Sequence, residues 1–525
     1  MTTRVDILKR RAGVMLPLSS LRHESDCGIG DVSCLPGFFD WMKTAGLSVY
    51  QVLPLNDLAP ADSCPYTALS AFALDWAYIS LRDVPEIRDN VALRAEFECS
   101  LCSKQAERLR KSRRVRFKEV REFKRRWLEA AFRSFDPSSS RGAALRAFCE
   151  ENAGWLKDYA LFRTLKESFA WSTWTSWPEG LKLRHAGALE KAAEEHRSRV
   201  AFFQYLQWVI REQWEDVRKE AAARGILLYG DIPFGLSLES ADVWSRQEDF
   251  DFSATMGAPP DQYSATGQAW GLPAYRWDKM EAEGHAWWRA RVRQAAGLYD
   301  LFRLDHAVGY FRTWLIREGH EENGFDNSGD DVKKARGERF FRMTLEEGGA
   351  SRPIGEDLGL IPPFVHDVLD GLGTPGYKVS RWEMEEEEPE RFKDPEDFPP
   401  LSLATTGNHD TSTLADWWGG LEPEQRDAYW AMVRGNPEPA EPAPRFGAKV
   451  HAAILGKIYA SGSALVVLPF QDLFASRERI NVPGTIGPHN WAYRTGTTVD
   501  QLRSDPRFGR KTILLKRLAE SSSRV

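Results

Sequence analysis

Phe302-Arg303-Leu304-Asp305-His306-Ala307-Val308-Gly309-Tyr310, FRLDHAVGY, is the stretch from which the fold is read. Tyr299, Leu301 and Phe302 lead apolar into Arg303, Leu304, Asp305 and His306. This is the pattern of a buried strand whose polar residues gather at its C-terminal end, where parallel α/β barrels hold their catalytic groups. Two later stretches repeat the design: Arg352-Pro353-Ile354-Gly355-Glu356-Asp357, and Leu401 to Asp410, LSLATTGNHD. Asp305, Glu356 and Asp410 are therefore expected to converge in one pocket. Three carboxylates without a cysteine or histidine cluster point to glycosyl chemistry rather than metal chemistry. Carboxylates holding Mg²⁺ for phosphoryl transfer would call for a Gly-rich phosphate loop, and none accompanies them.

Working outward, RAGVMLPL reads as a first strand, Pro36 to Gly46 as a helix and Ser48 to Leu55 as a second strand. Such a β-α-β unit argues for a parallel sheet. Strand signals recur near residues 14, 50, 228, 302, 354, 378, 402 and 466. Eight strands spaced by helices predict an α/β fold, a (β/α)8 TIM barrel, with large, mainly helical insertions in its βα loops. Residues 1–83 read as the start of the barrel, 84–200 as a helical insertion subdomain and 201–525 as the remainder. The connection from Pro233 to Trp277 is dense in Gly, Pro, Gln and aromatics. It reads as a long functional loop, with a lid over 245–280. Residues 318–335 read as a polar surface excursion before a helix at 335–345.

Bulk properties narrow the function. The 525 residues are 42% hydrophobic and 28% charged with net charge -6, an ordinary globular balance that disfavours a general nucleic-acid binder. No apolar run approaches the roughly 20 residues that span a membrane. The N-terminus has basic residues but no apolar region leading to a small-residue cleavage site, so no signal peptide is read. Six cysteines, with one isolated Cys99-x-x-Cys102 pair, imply neither a disulfide framework nor zinc, and a cytoplasmic location is expected. Between Lys104 and Arg126 there are 12 Lys/Arg against 3 Glu, read as the solvated face of a helical insertion rather than a nucleic-acid surface. The 20 tryptophans are mostly core residues, with some free to stack on sugar rings.

The motifs CPYTALSAFA, GDIPF, GAPPDQYSATGQAWGLPAYRW, FRLDH, GEDLG and TTGNHDT follow one another in that order. With them the chain resembles the 4-α-glucanotransferases (amylomaltases or disproportionating enzymes), family 77 of the glycoside hydrolases in the α-amylase clan. The resemblance runs from GVMLPLSSL near residue 13 to INVPGTIGPHNWAYR at 480–494. It implies that Asp305 is the nucleophile, Glu356 the general acid/base and Asp410 the transition-state stabiliser. They would act in a retaining double displacement that moves α-1,4-glucan segments between maltooligosaccharides, without cofactor, metal, nucleic acid or membrane. Where the family often has Phe-Arg after Asp-His, this chain has Ala307-Val308; Ala258, Leu272 and Cys64 are further departures, none of which removes a carboxylate.

The chemistry gives its own reasons for these residues. Retention needs an ionised carboxylate and a protonated carboxyl about 5 Å apart, the acid's pKa being raised by burial or by the nearby nucleophile. Arg303, two residues before Asp305 on the same strand face, is placed to keep the nucleophile ionised. His306 and His409 are expected to donate to sugar hydroxyls; Asp357 is expected to be structural. Transfer instead of hydrolysis requires water to be excluded while an acceptor binds. Tyr66, Trp270 and Trp382 are the expected aromatic platforms, with Asp261 and Gln268 as polar contacts on the lid. The competing reading for each is plain packing.

Overall fold

The computed structural model describes residues 4–260, 267–317, 323–385, 387–388, 390–436, 439 and 441–525. Eight short strands form one sheet: β1 (Arg11–Met15), β2 (Val49–Gln51), β3 (Leu227–Ile232), β4 (Leu301–Leu304), β5 (Arg352–Gly355), β6 (Gly376–Val379), β7 (Ser402–Thr405) and β8 (Leu465–Pro469). The order is β6-β7-β8-β1-β2-β3-β4-β5, and every recorded neighbour pair is parallel. The ring closes between β5 and β6, where Gly355 N–H donates to Pro375 O (2.9 Å) and Tyr377 N–H to Asp357 Oδ1 (2.6 Å). Asp357 is thus the clasp between these two strands, as its structural reading anticipated. All eight expected strands are present, because a parallel sheet covered on both faces demands near-continuous apolar runs. Every residue of β8, LVVLP, is buried.

Between β2 and β3 the chain is built of helices, the longest being Phe117–Ser134, Ala153–Ser168 and Arg197–Ala223. The basic run is not simply a solvated face. Arg121 and Lys124 lie one helical turn apart on the side that also buries Phe117, Val120, Trp127 and Leu128. Lys124 Nζ donates to Asp31 Oδ2 (2.9 Å), Ala77 O (2.7 Å) and Ile79 O (2.7 Å). Arg121 bonds Asp75 (2.6 Å) and the carbonyls of Ala59 and Asp62. Tyr159 and Arg163 hold Asp57 at 2.7 and 3.0 Å. The helices therefore brace the 57–79 rim loop that carries Tyr66. Lys124→Met leaves Asp31 buried without its cation and is expected to cost about 3–5 kcal/mol in urea melts. Lys118→Ala, at an exposed position of the same helix, should stay within about 0.5 kcal/mol.

Two further expectations need correction. The lid region is not a loop but an antiparallel hairpin, Phe250–Ala258 with Gln268–Tyr275, whose register shifts twice. It is extended by Trp314–Arg317 and Gly324–Phe325 into a second, four-stranded sheet. Its Gly and Pro residues hide the strand pattern, because bulges accept residues that regular strands reject. Within the expected excursion at 318–335, Gly324–Phe325 pairs with Trp314–Leu315 and the next helix starts at Asp330 rather than 335; residues 318–322 lie outside the described residues. Among the described residues no helix is long and apolar enough to cross a membrane.

Candidate active site

Strand register assembles the site. Asp231 of β3 stands opposite Arg303 of β4, and Leu304 opposite Gly355 of β5. The next residues, Asp305 and Glu356, therefore leave the barrel at the same level: Asp305 N–H still donates to Ile232 O (3.2 Å) and Glu356 N–H to Leu304 O (3.0 Å). Arg303 is buried beneath them. Its Nη1 donates to both oxygens of Asp231 (2.9 and 2.8 Å) and to Tyr66 Oη (3.2 Å), while its Nη2 reaches Asp305 Oδ1 (2.8 Å) and Glu356 Oε1 (2.7 Å). Since those last two oxygens share one nitrogen, they are separated by at most the sum of the two distances, 5.5 Å. That bound rules out the wider spacing of inverting glycosidases, about 6.5–9.5 Å, and admits the about 5–5.5 Å of retaining ones.

The second oxygen of each carboxylate is held by backbone. Phe234 N–H donates to Asp305 Oδ2 (2.9 Å) and His306 N–H to Glu356 Oε2 (2.9 Å). His306 adopts the left-handed conformation (φ 46°, ψ 59°), which turns its amide toward Glu356. Burial raises the Glu356 pKa and the negative Asp305 raises it further; Arg303 and the His306 amide oppose but do not cancel this. Burial pushes His306 down to about 4, Asp305 opposing, so its ring is neutral.

Asp410 arrives from the turn after β7. Asn408 Oδ1 accepts its N–H (3.0 Å), Arg479 grips its carbonyl (2.6 Å) and Asn481 Nδ2 donates to its Oδ1 (2.6 Å). Burial works against its charge, but His409 at 3.3 Å, the Asn481 bond and the field of Arg303 hold its pKa well below the usual carboxylate range. Burial likewise works against the charged form of His409, yet Asp410 keeps the pKa of that imidazole above its ordinary value. The His409 ring stacks on Tyr66 (5.2 Å between centroids, 25°), whose hydroxyl donates to Asp231 (2.8 Å). A continuous chain of contacts thus joins Asp410, His409, Tyr66, Asp231 and Arg303 to the two facing carboxylates.

From the strand Gln268–Tyr275, Trp270 meets the His306 ring edge to face at 4.8 Å, and its indole N–H donates to the exposed Gln268 (3.1 Å). Trp382 follows β6 at the rim with 39% of its surface exposed. Asp261 lies outside the described residues. Sequence reading missed Asp231, Asn481 and Trp491, whose ring packs on Tyr66 and His409 at 5.6 and 5.5 Å. Asp231 carried a usable signal, an apolar run ending in a carboxylate; Asn481 and Trp491 reach the site from a loop with no such pattern.

With this geometry in hand, the comparisons agree. The profile of the 4-alpha-glucanotransferase family matches residues 16–498. The 4-alpha-glucanotransferase of Chlamydia pneumoniae is 32% identical over 510 residues, 94% of this chain and 93% of its own. That of Thermus thermophilus is 33% identical over 476 residues, 87% and 89% of the two chains. Among solved structures, the amylomaltase of Streptococcus agalactiae in complex with acarbose superposes with a TM-score of 0.83 at 25% identity, over 98% of this chain and all (100%) of that one. A buried arginine between two carboxylates at the ends of adjoining barrel strands, a third carboxylate linked to it through His409 and Tyr66 and a match along nearly the whole chain lead to one conclusion: the chain belongs to the 4-α-glucanotransferase family.

Proposed function

We propose that Asp305 is the nucleophile, Glu356 the general acid/base and Asp410 the transition-state stabiliser of a retaining transfer between α-1,4-glucans. The observation that carries this reading is the shared guanidinium nitrogen of Arg303, which fixes Asp305 and Glu356 no more than 5.5 Å apart. In the first step an oxygen of Asp305 attacks the anomeric carbon while the protonated Glu356 gives its proton to the glycosidic oxygen. The leaving chain departs with its new hydroxyl and a glycosyl ester forms on Asp305. In the second step ionised Glu356 takes the proton from an acceptor's 4-hydroxyl. That oxygen attacks the anomeric carbon and Asp305 leaves, restoring the α-configuration. Asp410, held ionised by His409 and Asn481, stabilises the flattened oxocarbenium-like sugar through its hydroxyls.

Tyr66, Trp270 and Trp382 act as stacking platforms, with Gln268, His306 and His409 as polar contacts. The acarbose held by the Streptococcus agalactiae relative supports a sugar-chain ligand for this cleft. The lid above the nucleophile gives an acceptor sugar the advantage over water. The chemistry needs no cofactor. The free cysteines fit a reducing, cytoplasmic setting.

Incubating the protein with maltotriose and resolving products by chain length tests the reading. A ladder of longer maltooligosaccharides plus glucose is expected; glucose and maltose alone would sink transfer in favour of hydrolysis. The pH profile adds a second check. Glu356 acts as the acid only while protonated, so activity falls as pH rises through its raised pKa. The alkaline limb of kcat/KM for maltotriose is expected above the ordinary glutamate value of about 4.3. In His409→Gln the limb that remains belongs to Glu356. With α-maltotriosyl fluoride, whose leaving group needs no proton, that limb should disappear from the first step.

A further inference from the structure

We propose that Tyr275, at the base of the lid's return strand, is a positioning residue for the nucleophile and acts through the Phe234 peptide. The inference rests on the assignment of Asp305 above and extends it to the lid. Tyr275 and Phe234 are both buried. The Tyr275 hydroxyl donates to Phe234 O (2.7 Å), and the N–H of the same residue donates to Asp305 Oδ2 (2.9 Å). Arg303 holds the other oxygen. The nucleophile's carboxylate is therefore fixed at one end by the barrel and at the other by a peptide that the lid strand anchors.

The side chains tie the same pieces together. The Phe234 ring contacts Tyr275 edge on (5.8 Å), lies parallel to Trp277 (6.3 Å, 25°) and packs on His306 (5.5 Å) and Tyr310 (5.1 Å). Next to it, a Cβ on Gly235 would lie 2.3 Å from Leu272 Cδ1 of the lid, so a side chain there would have to push that leucine tip aside. At the other end of the strand Trp270 rests on His306, the residue after the nucleophile. The strand Gln268–Tyr275 thus bears on the nucleophile's segment from both ends, over the cleft through Trp270 and beneath it through Tyr275. A lid that served only to exclude water would need neither the Tyr275 hydroxyl nor its bond to Phe234.

Tyr275→Phe removes that hydroxyl and keeps the ring. A nucleophile misplaced by a fraction of an ångström should lower kcat for maltotriose roughly 10- to 100-fold. KM should stay within about 2-fold, since glucan contacts are untouched. The loss should be the same with α-maltotriosyl fluoride, because poor attack is not relieved by a better leaving group. Tyr310→Phe is the control: its buried hydroxyl has no hydrogen-bond partner among the described residues of the same aromatic cluster, and kcat should not change. Melting temperatures of both variants give the folded fraction on which rates are counted. Wild-type kcat in Tyr275→Phe, full recovery with the fluoride, a change confined to KM or melting temperature, or an equal loss in Tyr310→Phe would each overturn the proposal. If instead Asp305→Asn turned over the fluoride normally, the nucleophile assignment itself would fall, which is a separate result.

Discussion

Asp305→Asn is expected to lower maltotriose disproportionation by at least about 10⁴-fold without unfolding the protein. The amide keeps an oxygen that can accept the Phe234 N–H but loses the electron-rich carboxylate that attacks carbon. Arg303 would still hold Asp231 and Glu356, so no buried cation is left unpaired and the melting temperature should change little. An activated fluoride donor should not rescue the variant. Glu356→Gln should behave in the opposite way: with maltotriose it fails for want of a proton donor, and with α-maltotriosyl fluoride its first step returns. Measured side by side, the two variants separate nucleophile from acid by rate alone.

Arg303→Met should have the second largest effect, on stability and activity together. One guanidinium balances three carboxylates, and Asp231 beside it has a side chain with 0% exposure. Taking the cation away leaves a buried charge whose remaining hydrogen bond among the described residues comes from the Tyr66 hydroxyl. The expected cost is about 3–5 kcal/mol in urea melts near neutral pH. The sign of the pH dependence follows. Burial already raises the Asp231 pKa and Arg303 is the chief influence holding it down. In the variant that pKa rises further, and the carboxyl becomes neutral as pH falls through it. The gap to the wild type should therefore be widest above the raised pKa and narrow below it. Activity should fall roughly 10³-fold, because the charge that orients Asp305 and Glu356 is gone. Arg303→Lys should recover only part of either, since an ammonium cannot offer two fixed nitrogens to Asp231 on one side and to Asp305 and Glu356 on the other.

The barrel was legible because most of its strands are short, largely apolar and buried runs, and three of those runs lead into the carboxylates that matter. Register then did what sequence spacing cannot: it put Asp231 beside Arg303 and placed Asp305 level with Glu356. The hairpin over 250–275 was hidden because its strands are broken by register shifts and carry Gly257, Gly271 and Pro273, which read as loop. Arg121 and Lys124 looked like solvated charges because a one-dimensional count cannot show that they reach the carbonyls of another segment's rim loop. Asn481 and Trp491 illustrate the same limit at the site. Their roles come from a loop more than 70 residues beyond Asp410 folding back over it, a contact set by tertiary packing and not by local pattern.

Trapping the glycosyl-enzyme is the most direct test of the mechanism. Glu356→Gln, incubated briefly with α-maltotriosyl fluoride and quenched in acid, should accumulate an intermediate, because departure of fluoride needs no acid whereas transfer to an acceptor needs a base. Peptide mass spectrometry should then find one maltotriosyl unit esterified to Asp305. An adduct on another residue, or turnover to products of inverted configuration with no adduct, would contradict the proposed mechanism.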